Sequence, residues 1–166
     1  DLAAGPARRD AALAKFGRLV IGAVAATILA GAFVAGTDAG FIYNSFPMMD
    51  GRLIPAGYGD LSPWWLNAFE NVAAVQFNHR WVAVATLVLS LAYIGSLHAR
   101  AVDRRTRRCA AFLGAAIAAQ IAIGIITLVH AVPVALGAAH QAGAVVVLTL
   151  ALATHHAAGR SARTSR

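Results

Sequence analysis

The chain has 166 residues, of which 59% are hydrophobic and only 13% charged. Soluble domains carry roughly 25% charged residues, so an ordinary soluble globular protein is excluded. The net charge of +7 does not indicate nucleic acid, because the basic residues sit between apolar blocks instead of on one face with polar or aromatic readers.

In chain order, segment 1–15 is a basic N-terminal segment carrying Arg8, Arg9 and Lys15. It starts at Asp1, which reads as a fragment or a processed product. A hydrocarbon core of roughly 30 Å needs about 20 helical residues. Stretch 16–36 is the first to meet that length, and it is too long for a signal-peptide core, so it reads as a retained span. Residues 37–71 then form a loop dense in Gly, Pro and aromatics, which reads as an ordered cap with a short amphipathic helix near 63–70. Trp64, Trp65 and Phe69 fit an interfacial belt.

The second span, 72–97, opens with "QFNHRW" at residues 76–81 and then runs uncharged to its end. Polar groups in hydrocarbon are costly unless bound, so this cluster is a candidate site. The loop "HARAVDRRTRR" follows, and then the third span at 109–129. It begins at Cys109, the single cysteine, which excludes an internal disulfide and a thiolate metal site and reads as a buried structural thiol. The fourth span, 133–155, has Pro133 in its first turn, where a missing N–H costs nothing. A basic tail, 158–166, ends the chain.

These elements make an all-α membrane protein, a four-helix up-down bundle occupying residues 16–157. Arg18, Arg100, Arg104, Arg105, Arg107, Arg108, Arg160, Arg163 and Arg166 join the N-terminal basic residues on one side. Loop 37–71 has only Arg52 against Asp38, Asp50, Asp60 and Glu70. The positive-inside rule makes the basic side cytoplasmic, with both termini in.

Of the six histidines, His98, His155 and His156 fall at inner span ends beside arginines and read as interfacial. His130 reads as a turn residue. His79 and His140 differ: each lies seven residues into its span, about 10 Å below the outer surface. Spans two and four run in the same direction, so the two imidazoles share one depth. Two neutral imidazoles facing each other across a helical bundle suit a metal, and in its bulky form a haem with two axial histidines. Zinc lacks a third and fourth ligand at that level. The small residues Gly137, Ala138, Ala139, Ala142 and Gly143 around His140 leave room for a flat macrocycle, and they equally suit close helix packing. Arg80 has two readings: a partner for a haem propionate, or a side chain reaching to phosphate headgroups.

The stretches "GTDAGFIYNSFPMMDGRLIP", "FENVAAVQFNHRW" and "AVPVALGAAHQAGAVVVLTLAL" resemble the second half of the haem A synthases, the membrane proteins that convert haem O to haem A for cytochrome oxidase. The resemblance covers most of residues 30–152. It implies that this chain is one half of an eight-helix pseudo-symmetric fold, with His79 and His140 the axial ligands of a haem b. In the family's first half, a glutamate three positions before the corresponding histidine is thought to take part in catalysis. Gln76 stands at that position here, which matches the cofactor-binding half, and no catalytic residue is assigned to this chain. The family reaction oxidises a methyl group of haem O to a formyl group, and the haem b of this half would serve electron transfer or structure.

The resemblance also implies a bacterial cytoplasmic (inner) membrane. The expected partners are the lipid bilayer, the N-terminal catalytic bundle of the same family or another copy, and cytochrome oxidase assembly proteins, with no nucleic acid. Two competing functions use the same residues differently. One is a stand-alone bis-histidine cytochrome b-like electron carrier, which has no need of the loop "NSFPMMDGRLIP". The other is a structural assembly protein whose histidines do nothing. A transporter would need interrupted spans or a buried acid, and neither is present.

Overall fold

The computed structural model describes the backbone of residues 6–164 and the side chains of residues 11–161. The side chains of Arg8, Arg9, Arg163 and Arg166, which enter the charge argument above, lie outside the described residues. Four long helices carry the fold: α1 (Pro6–Gly36), α2 (Val72–His98), α3 (Arg104–Val129) and α4 (Val134–Thr164). Each contains a stretch long and apolar enough to cross a membrane. The protein is an all-α membrane bundle, and among the described residues the only β-type pairing is an isolated bridge between Met49 and Arg52.

The helices extend beyond the apolar runs at their inner ends. α1 is helical from Pro6, α3 starts at Arg104, and α4 continues through His155 and His156 to Thr164. Arginine and alanine are good helix formers, so the helix outlasts the hydrocarbon and its ends lie among the basic residues. α3 begins at Arg104 because Asp103 caps it, accepting a 2.7 Å hydrogen bond from the Thr106 N–H. Pro133 sits just outside α4, where its carbonyl accepts the first helical bond from the Gly137 N–H at 2.9 Å.

In the bundle, α1 lies along α2 and α3 along α4, and contacts of α1 with α4 and of α2 with α3 close the ring. α2 and α4 therefore stand on a diagonal. The buried apolar core fills the inner half. One cluster joins Leu13, Val20, Tyr93, Leu97, Ala110 and Ala158, and the next joins Val24, Leu113, Ile117, Val147 and Ala151. The second cluster reaches outward to Ile28, Leu87, Ile121 and Leu148 and extends no further among the described residues.

The loop between α1 and α2 folds as a cap over the outer end. Asp50 and Gly51 take positive φ (50° and 75°) in the tight Met49–Arg52 turn, the Asp-Gly chemistry such turns require. Ser45 accepts from the Asp50 N–H and donates to the Met48 carbonyl. Asn67 ties Leu61 to a short 3₁₀ turn at Trp64–Ala68, where the sequence suggested a short helix. Asn44 donates to the carbonyls of Gly40 (2.7 Å) and Leu128 (2.9 Å), fastening the cap to the end of α3. Trp64 is 82% exposed, as a side chain at a lipid interface would be.

Candidate functional site

The polar opening of α2 is built into the cap. Gln76 is buried, donating through Nε2 to the Ala39 carbonyl at 2.7 Å and accepting through Oε1 from Arg80 Nη2 at 2.8 Å. Asn78 accepts from the Tyr58 hydroxyl at 3.0 Å. Asn71 starts the helix, accepting from the Ala74 N–H and donating to the Gly57 carbonyl and to Asn67.

Arg80 is half-buried and gathers the backbone of the cap. It donates to the carbonyls of Tyr43 (2.8 Å) and Ser45 (3.0 Å), with longer contacts to Pro47 and Met48. Every acceptor it reaches is neutral, and its Nε is buried without a partner. The guanidinium thus holds a positive charge against carbonyl dipoles alone.

His79 and His140 project from the diagonal pair α2 and α4. They lie beyond the second apolar cluster, where α1 and α3 present glycines. The Nδ1–Cε1 edge of His79 lies against Gly31, so a Cβ there would be 3.1 Å from Cε1. The Cε1 corner of His140 lies against Gly124, where a Cβ would be 2.7 Å from Cε1. The backbone carbonyl of Thr27 acts on the first ring and that of Gln120 on the second. Neither reaches full hydrogen-bond geometry, and both Nδ1 atoms are buried without a partner. Gln120 also donates through Nε2 to the His140 carbonyl at 2.7 Å, linking α3 to α4 at this level.

This donor set fits an iron macrocycle. Among the described residues no group of three His, Cys, Asp or Glu is arranged to hold a metal ion, so the pair lacks the four ligands a structural zinc requires. A haem iron needs only two protein ligands, one from each side. Small residues line both histidines, with Gly31 against His79 and Gly124 against His140, and Arg80 adds a positive charge one residue from His79.

The sequence pointed to His79, His140 and Arg80 as candidates, and the fold places all three on the cap side of the apolar clusters. It missed Gly31, Gly124, Thr27 and Gln120. A signal for them exists: "TILAG" at 27–31 and "QIAIG" at 120–124 share a polar residue four places before a glycine. The remaining histidines lie elsewhere. His98 and His130 close the ends of α2 and α3, each with Nδ1 at a carbonyl one turn back, at 2.9 and 2.8 Å. His155 lies against Gly17 near the inner end.

A family model described as cytochrome oxidase assembly protein (COX15-CtaA) matches residues 3–152. The heme A synthase of Rhodospirillum centenum is 47% identical over 130 residues, covering 78% of this chain and 35% of that protein. That of Azorhizobium caulinodans is 44% identical over 137 residues, covering 81% and 39%. That of Nitrosospira multiformis is 40% identical over 144 residues, covering 87% and 40%. The chain thus spans well under half the length of these curated relatives. No solved structure matches it.

Proposed function

This chain belongs to the COX15-CtaA family of cytochrome oxidase assembly proteins, and from that premise we propose that it is the haem b-binding, C-terminal half of a haem A synthase. His79 and His140 would be the two iron ligands. The observation that carries the reading is the matched environment of the two imidazoles. They come from diagonal helices, and each lies on a glycine of a neighbouring helix with Nδ1 buried and unpartnered.

His79 and His140 would hold haem b, which when bound would supply one-electron iron chemistry suited to electron transfer. The chain's own residues hold and orient that group. His79 and His140 would hold it between α2 and α4, next to the apolar cluster of Val24, Leu113, Ile117, Val147 and Ala151. Arg80, a half-buried cation with only neutral acceptors, would meet a propionate. That contact would neutralise a charge that carbonyl dipoles offset only in part.

Gln76 supports the assignment to this half: its amide bridges the Ala39 carbonyl and Arg80, so it serves as a structural cross-link and not as a general acid or base. Oxidation of the haem O methyl group would take place in the companion bundle, or in another copy, with cytochrome oxidase assembly proteins as further partners. The arginine distribution favours cytoplasmic termini, and the bacterial relatives favour the inner membrane.

The test is a reduced-minus-oxidised absorption spectrum of the purified chain with pyridine haemochrome typing, repeated on His79→Ala and His140→Ala. A low-spin b-type spectrum lost in either variant is expected. A folded wild-type chain that takes up no haem would end the cofactor reading. Restored haem A formation on co-expression with the remaining half of a relative separates the synthase from a stand-alone bis-histidine carrier.

A further inference from the structure

We propose that Gly31 and Gly124 are matched seats for the two imidazoles, each placing a histidine Nδ1 against the backbone carbonyl one turn earlier on the neighbouring helix. Thr27 would be the acceptor for His79 and Gln120 the acceptor for His140. The inference rests on the haem reading above and adds positioning residues to it.

Four observations meet at these glycines. Each glycine faces the Cε1 corner of its ring. At Gly31 a Cβ would be 3.1 Å from Cε1, 3.5 Å from Nδ1 and 3.8 Å from Nε2; at Gly124 the distances would be 2.7, 3.3 and 3.4 Å. Nδ1 is the nearer ring nitrogen at Gly31, and the two nitrogens are nearly equidistant at Gly124. Both Nδ1 atoms are buried without a partner, and a buried donor left unpaired costs about 1–3 kcal/mol. The backbone group acting on each ring is the carbonyl four residues before the glycine, whose own helical bond runs to the glycine N–H. Finally, the arrangement occurs twice, once between α1 and α2 and once between α3 and α4.

The physical consequence concerns the ligands' basicity and orientation. A ligating histidine that donates its second N–H to a carbonyl is fixed in tautomer and ring plane, and loss of such a partner typically costs about 10–100-fold in metal affinity. A side chain at either seat would push the ring off the helix and break that contact. A few tenths of an ångström suffice, because both Cβ positions fall inside ordinary contact distance of Cε1.

The test compares Gly31→Ala and Gly124→Ala with Gly22→Ala and Gly95→Ala, whose Cβ positions meet nothing within 4 Å. Haemin titration of the detergent-purified chain reads affinity, and the absorption spectrum reads spin state. Retained helicity and monodispersity show that each variant folds. The expected result is haemin binding weakened about 10–100-fold in the two seat variants, with a shift from low spin toward mixed spin, and no change in the controls. Unchanged affinity and spectrum in both seat variants would overturn the proposal.

A second readout needs no haem. Diethylpyrocarbonate labelling of the haem-free chain, mapped by mass spectrometry, should rise at His79 in Gly31→Ala and at His140 in Gly124→Ala. If the wild type bound no haemin but this one-to-one labelling held, the seats would stand and the haem reading would fall. Labelling that rose at neither histidine would remove the seats.

Discussion

Gln76 and Arg80, one helical turn apart on α2, share a 2.8 Å hydrogen bond in which Arg80 Nη2 donates to Gln76 Oε1. Through this pair α2 holds both ends of the cap's first segment: Gln76 takes the Ala39 carbonyl and Arg80 the Tyr43 and Ser45 carbonyls. The position one turn before His79 is therefore occupied by a cross-link between helix and cap.

Replacing Gln76 with alanine should leave the Ala39 carbonyl only its 3.3 Å bond from the Ile42 N–H and take an acceptor from Arg80. The expected cost is about 0.5–1.5 kcal/mol, read as a lower midpoint in denaturant titration of the detergent-solubilised chain. Gln76→Glu keeps an acceptor for Arg80 and gains charge attraction but loses the donor, so its midpoint should fall between those of Gln76→Ala and wild type. Equal midpoints for all three proteins would show that the cross-link contributes nothing.

Arg80→Lys should loosen the cap without unfolding the bundle. A lysine ammonium lacks the planar fork that meets Tyr43, Ser45 and Gln76 together. Limited proteolysis should cut faster within residues 43–52 of this variant, with helicity unchanged. If Arg80 also meets a propionate, the same variant should retain a b-type spectrum with weakened haemin affinity.

Gln120→Leu removes the 2.7 Å bond to the His140 carbonyl. Interhelical hydrogen bonds inside membranes average only about 0.6 kcal/mol, with a maximum near 1.7, so the stability loss should be small. The effect on haemin affinity should be larger than that loss implies, because the bond fixes α4 at the residue bearing the ligand. A spectrum and affinity matching wild type would show that α4 is held there by packing alone.

At the inner surface, Asp103→Ala should cost about 1 kcal/mol through loss of the α3 cap. The Thr106 hydroxyl, which faces the carboxylate without completing a hydrogen bond, and the Thr106 N–H hold the Asp103 carboxyl below its ordinary value, with Arg105 and Arg160 adding to the effect. A carboxylate with a lowered folded-state pKa contributes stability above its unfolded value of roughly 4 and loses it as pH falls through the folded value. The gap between wild type and Asp103→Ala should therefore be constant from neutral pH down to about 4 and narrow below it. A gap independent of pH throughout would assign the cap to helix propensity alone.

The outer turn between α3 and α4 carries its own test. Ala131 and Val132 both have positive φ (55° and 53°), a region that costs a non-glycine residue about 1–2 kcal/mol. Ala131→Gly should raise stability by up to about 1 kcal/mol. Gly40→Ala should lower it, because a Cβ there would be 2.8 Å from Val132 Cγ2.

The amino-acid sequence by itself determined the four spans, and it carried the expected sidedness and the matched positions of His79 and His140 along their spans. These are local properties: hydropathy over about 20 residues, charge at the span ends, and a count of positions along a helix of known rise. The family resemblance followed from contiguous stretches in the same way. Hydropathy missed the inner helix ends, because helix propensity does not stop where the hydrocarbon does. The partners of the polar cluster depended on the tertiary structure. Gln76 meets Ala39 from 37 positions away and Asn44 meets Leu128 from 84, and no periodicity records such pairings. The same holds for Gly31 and Gly124, which in sequence are two small residues among many in apolar helices. Helix packing alone sets a histidine from the next helix against each of them and leaves the other small residues to ordinary contact with neighbours or lipid.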